Sequence, residues 1–206
     1  KVLHESASES GDQRKRLVRE AQTLAKLRHP NVVQVYEVGA ESGRLFIAME
    51  YVEGETLIEY CRQHKLSLRA RLKLFHQVCD ALAYAHGNLV VHRDIKPGNV
   101  LVSAEGRVKL LDFGIAKLLN PSGSLTRTAP ELQILTPEYA CPEQLKGEPV
   151  TTAVDVYSLG LLLFELVVGD KPFHFASSSL QEITRVVCEK EPEKPSVALA
   201  VRRKKL

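Results

Sequence analysis

Residues 90–102 read VVHRDIKPGNVLV and contain the densest run of polar chemistry in the chain. The flanking runs, Val90–Val91 and Val100–Val102, are typical of buried strands. Between them lies a proline-containing segment with an imidazole, a guanidinium, a carboxylate, an ammonium and an amide. We interpret this segment as a functional loop.

The composition predicts a soluble globular protein: the chain has 206 residues, 44% of them hydrophobic and 26% charged. Its 28 basic and 25 acidic residues are spread along the sequence, so no electrostatic footprint for nucleic acid or an anionic membrane stands out. Four scattered cysteines without C-x-x-C spacing argue against a zinc site or a disulfide framework. The most apolar run, 159–169, falls short of the roughly 20 residues needed to span a bilayer.

Periodicity predicts both hairpins and helices. The hairpins pair 31–39 with 44–52 and 100–102 with 107–111. The helices cover 12–27, 68–87 after the N-cap Ser67, and 152–168, whereas 120–137 is predicted to be a loop.

The second predicted helix carries apolar residues that we expect to face the core: Leu68, Leu72, Phe75, Val78, Cys79 and Leu82. In the first helix, Glu20 lies on or beside the apolar stripe. Because burying an unpaired charge costs several kcal/mol, roughly, Glu20 requires a partner.

The candidate loop belongs to a recognisable set of motifs. His92–Asn99 resembles the catalytic loop of protein kinases, and Asp112-Phe113-Gly114 resembles their DFG motif. The segment 135–143 is similar to the substrate-positioning loop that ends in A-P-E, and 155–160 to the start of the central αF helix. The wording TPEYACPEQ and VTTAVDVYSLG most resembles bacterial eukaryotic-like Ser/Thr kinases.

This resemblance implies an α+β, two-lobed protein-kinase-like fold. Residues 1–52 would form a truncated N-lobe with a small antiparallel sheet, and 53–206 a larger, mainly helical C-lobe, within a single incomplete kinase domain. The family's glycine-rich loop would precede Lys1, and its last helices, after Pro195, are expected to be absent. We therefore expect a fragment with little phosphotransferase activity, although its parent protein is active.

The resemblance also assigns catalytic roles. Asp94 would accept or orient the proton of the substrate hydroxyl, and Lys96 would lie beside the transferred phosphoryl group. Asn99 completes the catalytic set and, with Asp112, offers the hard oxygen ligands that Mg²⁺ prefers. The expected cofactors are ATP and Mg²⁺.

Nucleotide-binding residues follow from the same resemblance. Lys1, at the end of a V-A-I-K-like strand, would pair with Glu20 and hold the ATP phosphates. The adenine would rest on Leu101 beside Met49, with the backbone of Glu50 and Val52 pairing its edge.

Lys96, two residues after Asp94, and Thr136 both favour serine and threonine hydroxyls as acceptors. Arg93 would bind a phosphate on the activation segment. The candidate autophosphorylation sites are Ser122, Ser124, Thr126 and Thr128.

The expected partners are protein substrates in bacterial signalling, with no nucleic acid. A dimer that supports autophosphorylation stays open, and the kinase domain is expected in the cytoplasm even if the parent carries a membrane anchor. Two alternatives stay open. One is a pseudokinase scaffold, and the other is a small-molecule kinase of the antibiotic-phosphotransferase type, against which Arg93 and 136–143 argue.

Overall fold

The computed structural model describes residues 2–3, 23–41, 44–113 and 137–205. Most of the helix predicted over 12–27 and nearly all of the loop predicted over 120–137 lie outside these ranges. Within the described part of the chain, no helix is both long and apolar enough to cross a membrane.

The first sheet is antiparallel and contains β1 (Val2–Leu3), β2 (Val35–Glu41) and β3 (Arg44–Met49), in the order β1–β3–β2. The predicted hairpin of 31–39 with 44–52 is therefore confirmed, although its first strand begins only at Val35.

The second sheet holds β4 (Glu55–Thr56), β5 (Val100–Val102) and β6 (Val108–Leu110), again antiparallel and in that order. The pairing of β5 with β6 confirms the second predicted hairpin. The preceding segment 31–34 lies against β6, where Leu110 N donates to Asn31 O at 2.8 Å and Val33 N donates to Leu110 O at 3.0 Å. Those contacts explain the late start of β2 and join the two sheets.

The helices occupy mainly the second part of the chain. Their bounds are α1 (Leu57–Gln63), α2 (Leu68–Gly87), α3 (Pro142–Lys146), α4 (Ala153–Val168), α5 (Leu180–Glu189) and α6 (Pro195–Lys205), with short 3-10 helices at Pro97–Asn99 and Pro137–Tyr139. As predicted, Ser67 caps α2, and its side chain accepts a hydrogen bond from Ala70 N. Helix α4 confirms the prediction over 152–168 and ends at Gly169, whose φ of 75° is left-handed.

The predicted core face of α2 is wrong at its first turns. Leu68 is 51% exposed and Leu72 is 42% exposed. The buried residues of the helix are instead Leu74, Val78, Ala81, Leu82 and Ala85. Since each helical residue turns by about 100°, Leu68 and Leu72 lie roughly a third of a turn from this face. The apolar residues of α2 thus form two stripes, and only one faces β6 and α4.

A further helix begins at Pro195, and the expected absence of the family's last helices stays a prediction. Residues Pro195–Lys205 form α6, which contacts α4. A proline suits the first position of a helix, because a residue there needs no N–H partner.

The largest hydrophobic core is continuous between the two parts of the chain. It includes Leu27, Val32 and Ile47 from the first part, together with residues of α1, α2, β5, β6 and α4 from the second. The sheets and helices therefore share one apolar interior, and the linker 50–54 crosses its edge.

One charged side chain lies inside this interior. Asp155, on the first turn of α4, is 0% exposed. It accepts hydrogen bonds from His92 N and Arg93 N, both at 2.7 Å, and its carboxylate lies 2.8 Å from His86 Nε2. Helix α4 therefore holds the polar segment 92–99 through hydrogen bonds from the backbone of that segment to Asp155.

The linker approaches β5 closely at Gly54. A Cβ atom added there would lie 2.5 Å from Val102 O, a contact that the backbone of β5 cannot easily relieve. We expect Gly54→Ala to lower the free energy of unfolding by about 1–3 kcal/mol, as overpacking does. Gly160→Ala is the matched control, since a Cβ atom there meets nothing within 4 Å. Equal stability of the two variants in urea unfolding would contradict the close approach.

Removing the Asp155 carboxylate would leave buried N–H groups without an acceptor. We expect Asp155→Ala to lower the free energy of unfolding by about 3–5 kcal/mol. Asp155→Asn, which keeps one acceptor oxygen, should lose less. The control is Asp80→Ala on the exposed side of α2, expected within about 0.5 kcal/mol of the wild type. A urea midpoint for Asp155→Ala close to that control would show that the anchor is not needed.

Candidate active site

The segment 92–99 is held from two sides. Asp155 binds its backbone from α4, and Gln144 Nε2, on α3, donates to Arg93 O at 2.8 Å. Arg93 has a φ of 68°, a left-handed conformation that costs a residue with a side chain about 1–3 kcal/mol. Hydrogen bonds on both sides of Arg93 compensate this strain, so the loop has one well-defined conformation.

Three of the predicted catalytic residues form one hydrogen-bonded cluster. Lys96 Nζ lies 3.0 Å from Asp94 Oδ2, and Asn99 Nδ2 donates to the same oxygen at 2.8 Å. Asn99 Nδ2 also donates to Asp94 O at 2.8 Å. The side chains of Asp94 and Lys96 are 16% and 23% exposed, so the cluster faces outward only at its edge. The cation of Lys96 and the amide of Asn99 thus fix the orientation of the Asp94 side chain.

Leu111, the residue before Asp112, is hydrogen-bonded to the segment that carries this cluster. His92 Nε2 donates to Leu111 O at 2.7 Å, and Leu111 N donates to Asn99 O at 2.8 Å. Because His92 Nδ1 accepts from Asp94 N, we assign the proton to Nε2. The ring of Phe113 also contacts that of His92, with centroids 4.5 Å apart. Asp112 itself has a φ of 49°.

The side chains present fit a hard divalent cation. Both donor positions of Asn99 Nδ2 are used by Asp94, which leaves the amide oxygen as the atom that can bind a metal. The carboxylate of Asp112 would add a second oxygen ligand. In the described residues, no group of three His, Cys, Asp or Glu side chains could hold a metal ion by itself. Any cation here would depend on further oxygens from a bound ligand.

The residues predicted to contact adenine surround the linker. Met49 ends β3, and Glu50 and Val52 belong to the linker 50–54. Leu101 is the middle residue of β5 and is partly buried. Partial burial raises the pKa of the Glu50 carboxyl, but hydrogen bonds from Lys109 and from Gln34 N outweigh it and hold this pKa below its usual value.

The other predicted site residues lie outside the described part of the chain. They are Lys1, Glu20, Gly114, Ser122, Ser124, Thr126, Thr128 and Thr136. The proposed ion pair of Lys1 with Glu20 and the activation-segment sites stay predictions.

The described start of the segment that resembles the substrate-positioning loop is fixed to α4. The Tyr139 hydroxyl donates to Glu165, and Ser158 Oγ donates to Tyr139 O at 3.1 Å. Burial and the adjacent Glu165 carboxylate raise the pKa of Tyr139, so its hydroxyl stays protonated. Helix α4 thus supports both this segment and the loop 92–99.

Two supporting residues were missed by the sequence analysis. Gln144 stands three residues after the N-cap Cys141 and accepts from Cys141 N at 3.4 Å, a spacing typical of helix starts that could have located it. Its bond to Arg93 O has no sequence signal. Lys109 forms an ion pair with Glu50 at 2.8 Å and, as a cation on a short strand, gives no sign of a partner.

Comparisons with known proteins identify the family of this chain. The family described as protein kinase domain matches residues 1–200. The chain is 41% identical over 174 residues to the serine/threonine-protein kinase PrkC of Bacillus subtilis, covering 84% of this chain and 26% of PrkC. Over 200 residues it is 41% identical to PkaA of Streptomyces coelicolor, covering 95% of this chain and 36% of PkaA. The chain thus spans about a quarter to a third of these curated relatives.

A solved structure shows the same architecture. The crystal structure of a point mutant of the Mycobacterium tuberculosis PknI kinase domain matches with a TM-score of 0.66 at 28% identity. The match covers 93% of this chain and 66% of the PknI chain. The expected α+β, two-lobed fold is thereby confirmed. Because the protein kinase domain model matches residues 1–200 of the 206, this chain belongs to the protein kinase family.

Proposed function

We propose that the protein containing this chain transfers the γ-phosphoryl group of ATP to Ser or Thr hydroxyls of protein substrates, with Mg²⁺. The observation that supports this most directly is the cluster of Asp94, Lys96 and Asn99, joined through Leu111 to Asp112. The relatives are named serine/threonine-protein kinases, which favours the same reaction.

The cluster suits phosphoryl transfer because that reaction depends mainly on positioning and charge stabilisation. Asp94 orients the acceptor hydroxyl and accepts its proton, and Lys96 and Asn99 hold its carboxyl group in place. Lys96 places a positive charge 3.0 Å from that carboxylate, where negative charge accumulates on the transferred group.

Asn99 and Asp112 would hold Mg²⁺ together with nucleotide phosphates. When bound, the ion neutralises phosphate charge during transfer. Asn99 contributes its amide oxygen, whose direction is set by the two bonds from Nδ2 to Asp94. Asp112 would contribute its carboxylate, and its neighbour Leu111 is hydrogen-bonded to His92 and Asn99.

ATP would enter between the linker and Leu101, with adenine paired to the backbone of Glu50 and Val52 beside Met49. Lys1 and Glu20 would hold its phosphates. The domain would comprise 1–52 and 53–206 as the two partial lobes and would act in the cytoplasm on signalling proteins.

Replacing the candidate base tests the proposal. In the full-length protein, we expect Asp94→Asn to slow phosphate transfer by about 10²–10⁴-fold, because an amide cannot accept the hydroxyl proton. Transfer should be measured with radiolabelled ATP and a Ser/Thr-containing protein, followed by phosphoamino-acid analysis. Asp80→Asn is the matched control and should keep wild-type activity, since Asp80 lies on an exposed face of α2 paired with His76.

Each outcome separates the alternatives. No transfer by the wild type would favour a pseudokinase scaffold, and phosphorylation of a small alcohol but of no polypeptide would favour a small-molecule kinase. Equal rates for Asp94→Asn and Asp80→Asn would remove Asp94 from the reaction.

We also propose that the protein autophosphorylates its activation segment and that Arg93 binds the resulting phosphate, with Thr136 helping to select Ser/Thr substrates. A dimer would allow one copy to modify the other. Phosphosite mapping of the active full-length protein should find phosphate on Ser122, Ser124, Thr126 or Thr128. An active protein unmodified at all four positions would contradict this proposal.

A further inference from the structure

The linker between the two parts of the chain begins at Glu50, a residue held by its backbone and its side chain together. Glu50 N donates to Gln34 O at 2.8 Å, and Gln34 N donates back to Glu50 Oε2 at 3.2 Å. Residues 50–54 belong to neither helix nor strand. The bonds of Glu50 therefore determine where the linker starts.

A cation from the other part of the chain completes this arrangement. Lys109 Nζ, on β6, lies 2.8 Å from both carboxylate oxygens of Glu50. The Lys109 and Glu50 side chains are only 20% and 27% exposed. Fully exposed ion pairs contribute little to stability. A partly buried carboxylate that also accepts a hydrogen bond from a backbone N–H is held in position more strongly than an exposed one.

Strand register places Lys109 beside the expected floor of the adenine site. Lys109 is directly opposite Leu101 in the pairing of β5 with β6, so the two side chains lie on the same face. Thr56 pairs with Leu101 from the other side. The start of the linker is thus bound to Lys109, and its end continues into β4. Lys109 on β6 and Thr56 on β4 lie on either side of Leu101.

We propose that Lys109 is a positioning residue for the nucleotide: its ion pair with Glu50 sets the distance between the linker backbone and Leu101. The proposal rests on the proposed function, in which adenine binds between these two surfaces. Lys109 touches neither the reacting groups nor the phosphates; it acts through Glu50. Loss of the pair frees the linker to move away from Leu101 and leaves 92–99 and 112 in place.

The test compares steady-state kinetics of full-length variants. We expect Lys109→Met to raise KM for ATP by about tenfold, as loss of a partly buried charged hydrogen bond would, while kcat and KM for the protein substrate change less than about twofold. Lys109→Arg keeps the charge and should restore most of the affinity. Lys73→Met, an exposed lysine on α2, is the control and should match the wild type.

A second readout separates this inference from the proposed function. Equilibrium binding of a fluorescent ATP analogue should weaken by the same factor in Lys109→Met, whether or not the protein transfers phosphate. Glu50→Gln, which keeps the side-chain shape, should weaken binding in the same direction and serves if Lys109→Met fails to fold. An active wild type with unchanged KM and unchanged analogue binding in both variants would overturn the inference. A rise in kcat at constant KM for ATP would overturn it too, because the ion pair would then limit turnover and would not affect nucleotide binding.

Discussion

Asp155 lies at a position with no solvent exposure, where its carboxyl group accepts from His92 N and Arg93 N and lies 2.8 Å from His86 Nε2. A carboxyl group buried there without hydrogen-bond partners would be strongly destabilising, so its burial depends on those partners. Two of them belong to the backbone of His92 and Arg93. Helix α4 and the loop 92–99 therefore depend on each other, since α4 cannot bury Asp155 unless the loop adopts its native path.

The loop transmits this constraint to Asp112. The backbone N–H of His92 is hydrogen-bonded to Asp155, and the ring of His92 donates a hydrogen bond to Leu111 O. Leu111 in turn donates to Asn99, whose amide fixes Asp94. The left-handed backbone at Arg93 is tolerated because bonds to both its N–H and its carbonyl oxygen hold it, and Asp112 at the other end of the path is left-handed too. Such preorganisation is what electrostatic catalysis requires, since no dipole must reorient during reaction.

The sequence predicts elements whose signals are local. The hairpin of β5 with β6 follows from two apolar runs around a turn, and α4 follows from an apolar run that stops at Gly169. Strand β4 has only two residues and no local pattern, so only its pairing with β5 reveals it. The exposed Leu68 on α2 shows a similar limit, because the sequence alone does not indicate which of the two apolar stripes faces the core. The motifs locate Asp94, Lys96 and Asn99, whereas Gln144 and Lys109 have roles created entirely by tertiary contacts.

The contacts of Asp155 and the ion pair of Lys109 with Glu50 differ in how they respond to ionic strength. The Asp155 anchor is buried, so mobile ions screen it little, whereas the pair of Lys109 with Glu50 is partly open to solvent and is weakened by salt. Ionic strength therefore acts first on the linker that faces Leu101 and only later on the loop that carries Asp94. Because 31–34 is also hydrogen-bonded to β6, the start of the linker moves with the second sheet even when the ion pair is screened. The backbone contacts thus set the approximate position of the linker, and the ion pair sets its final distance from Leu101.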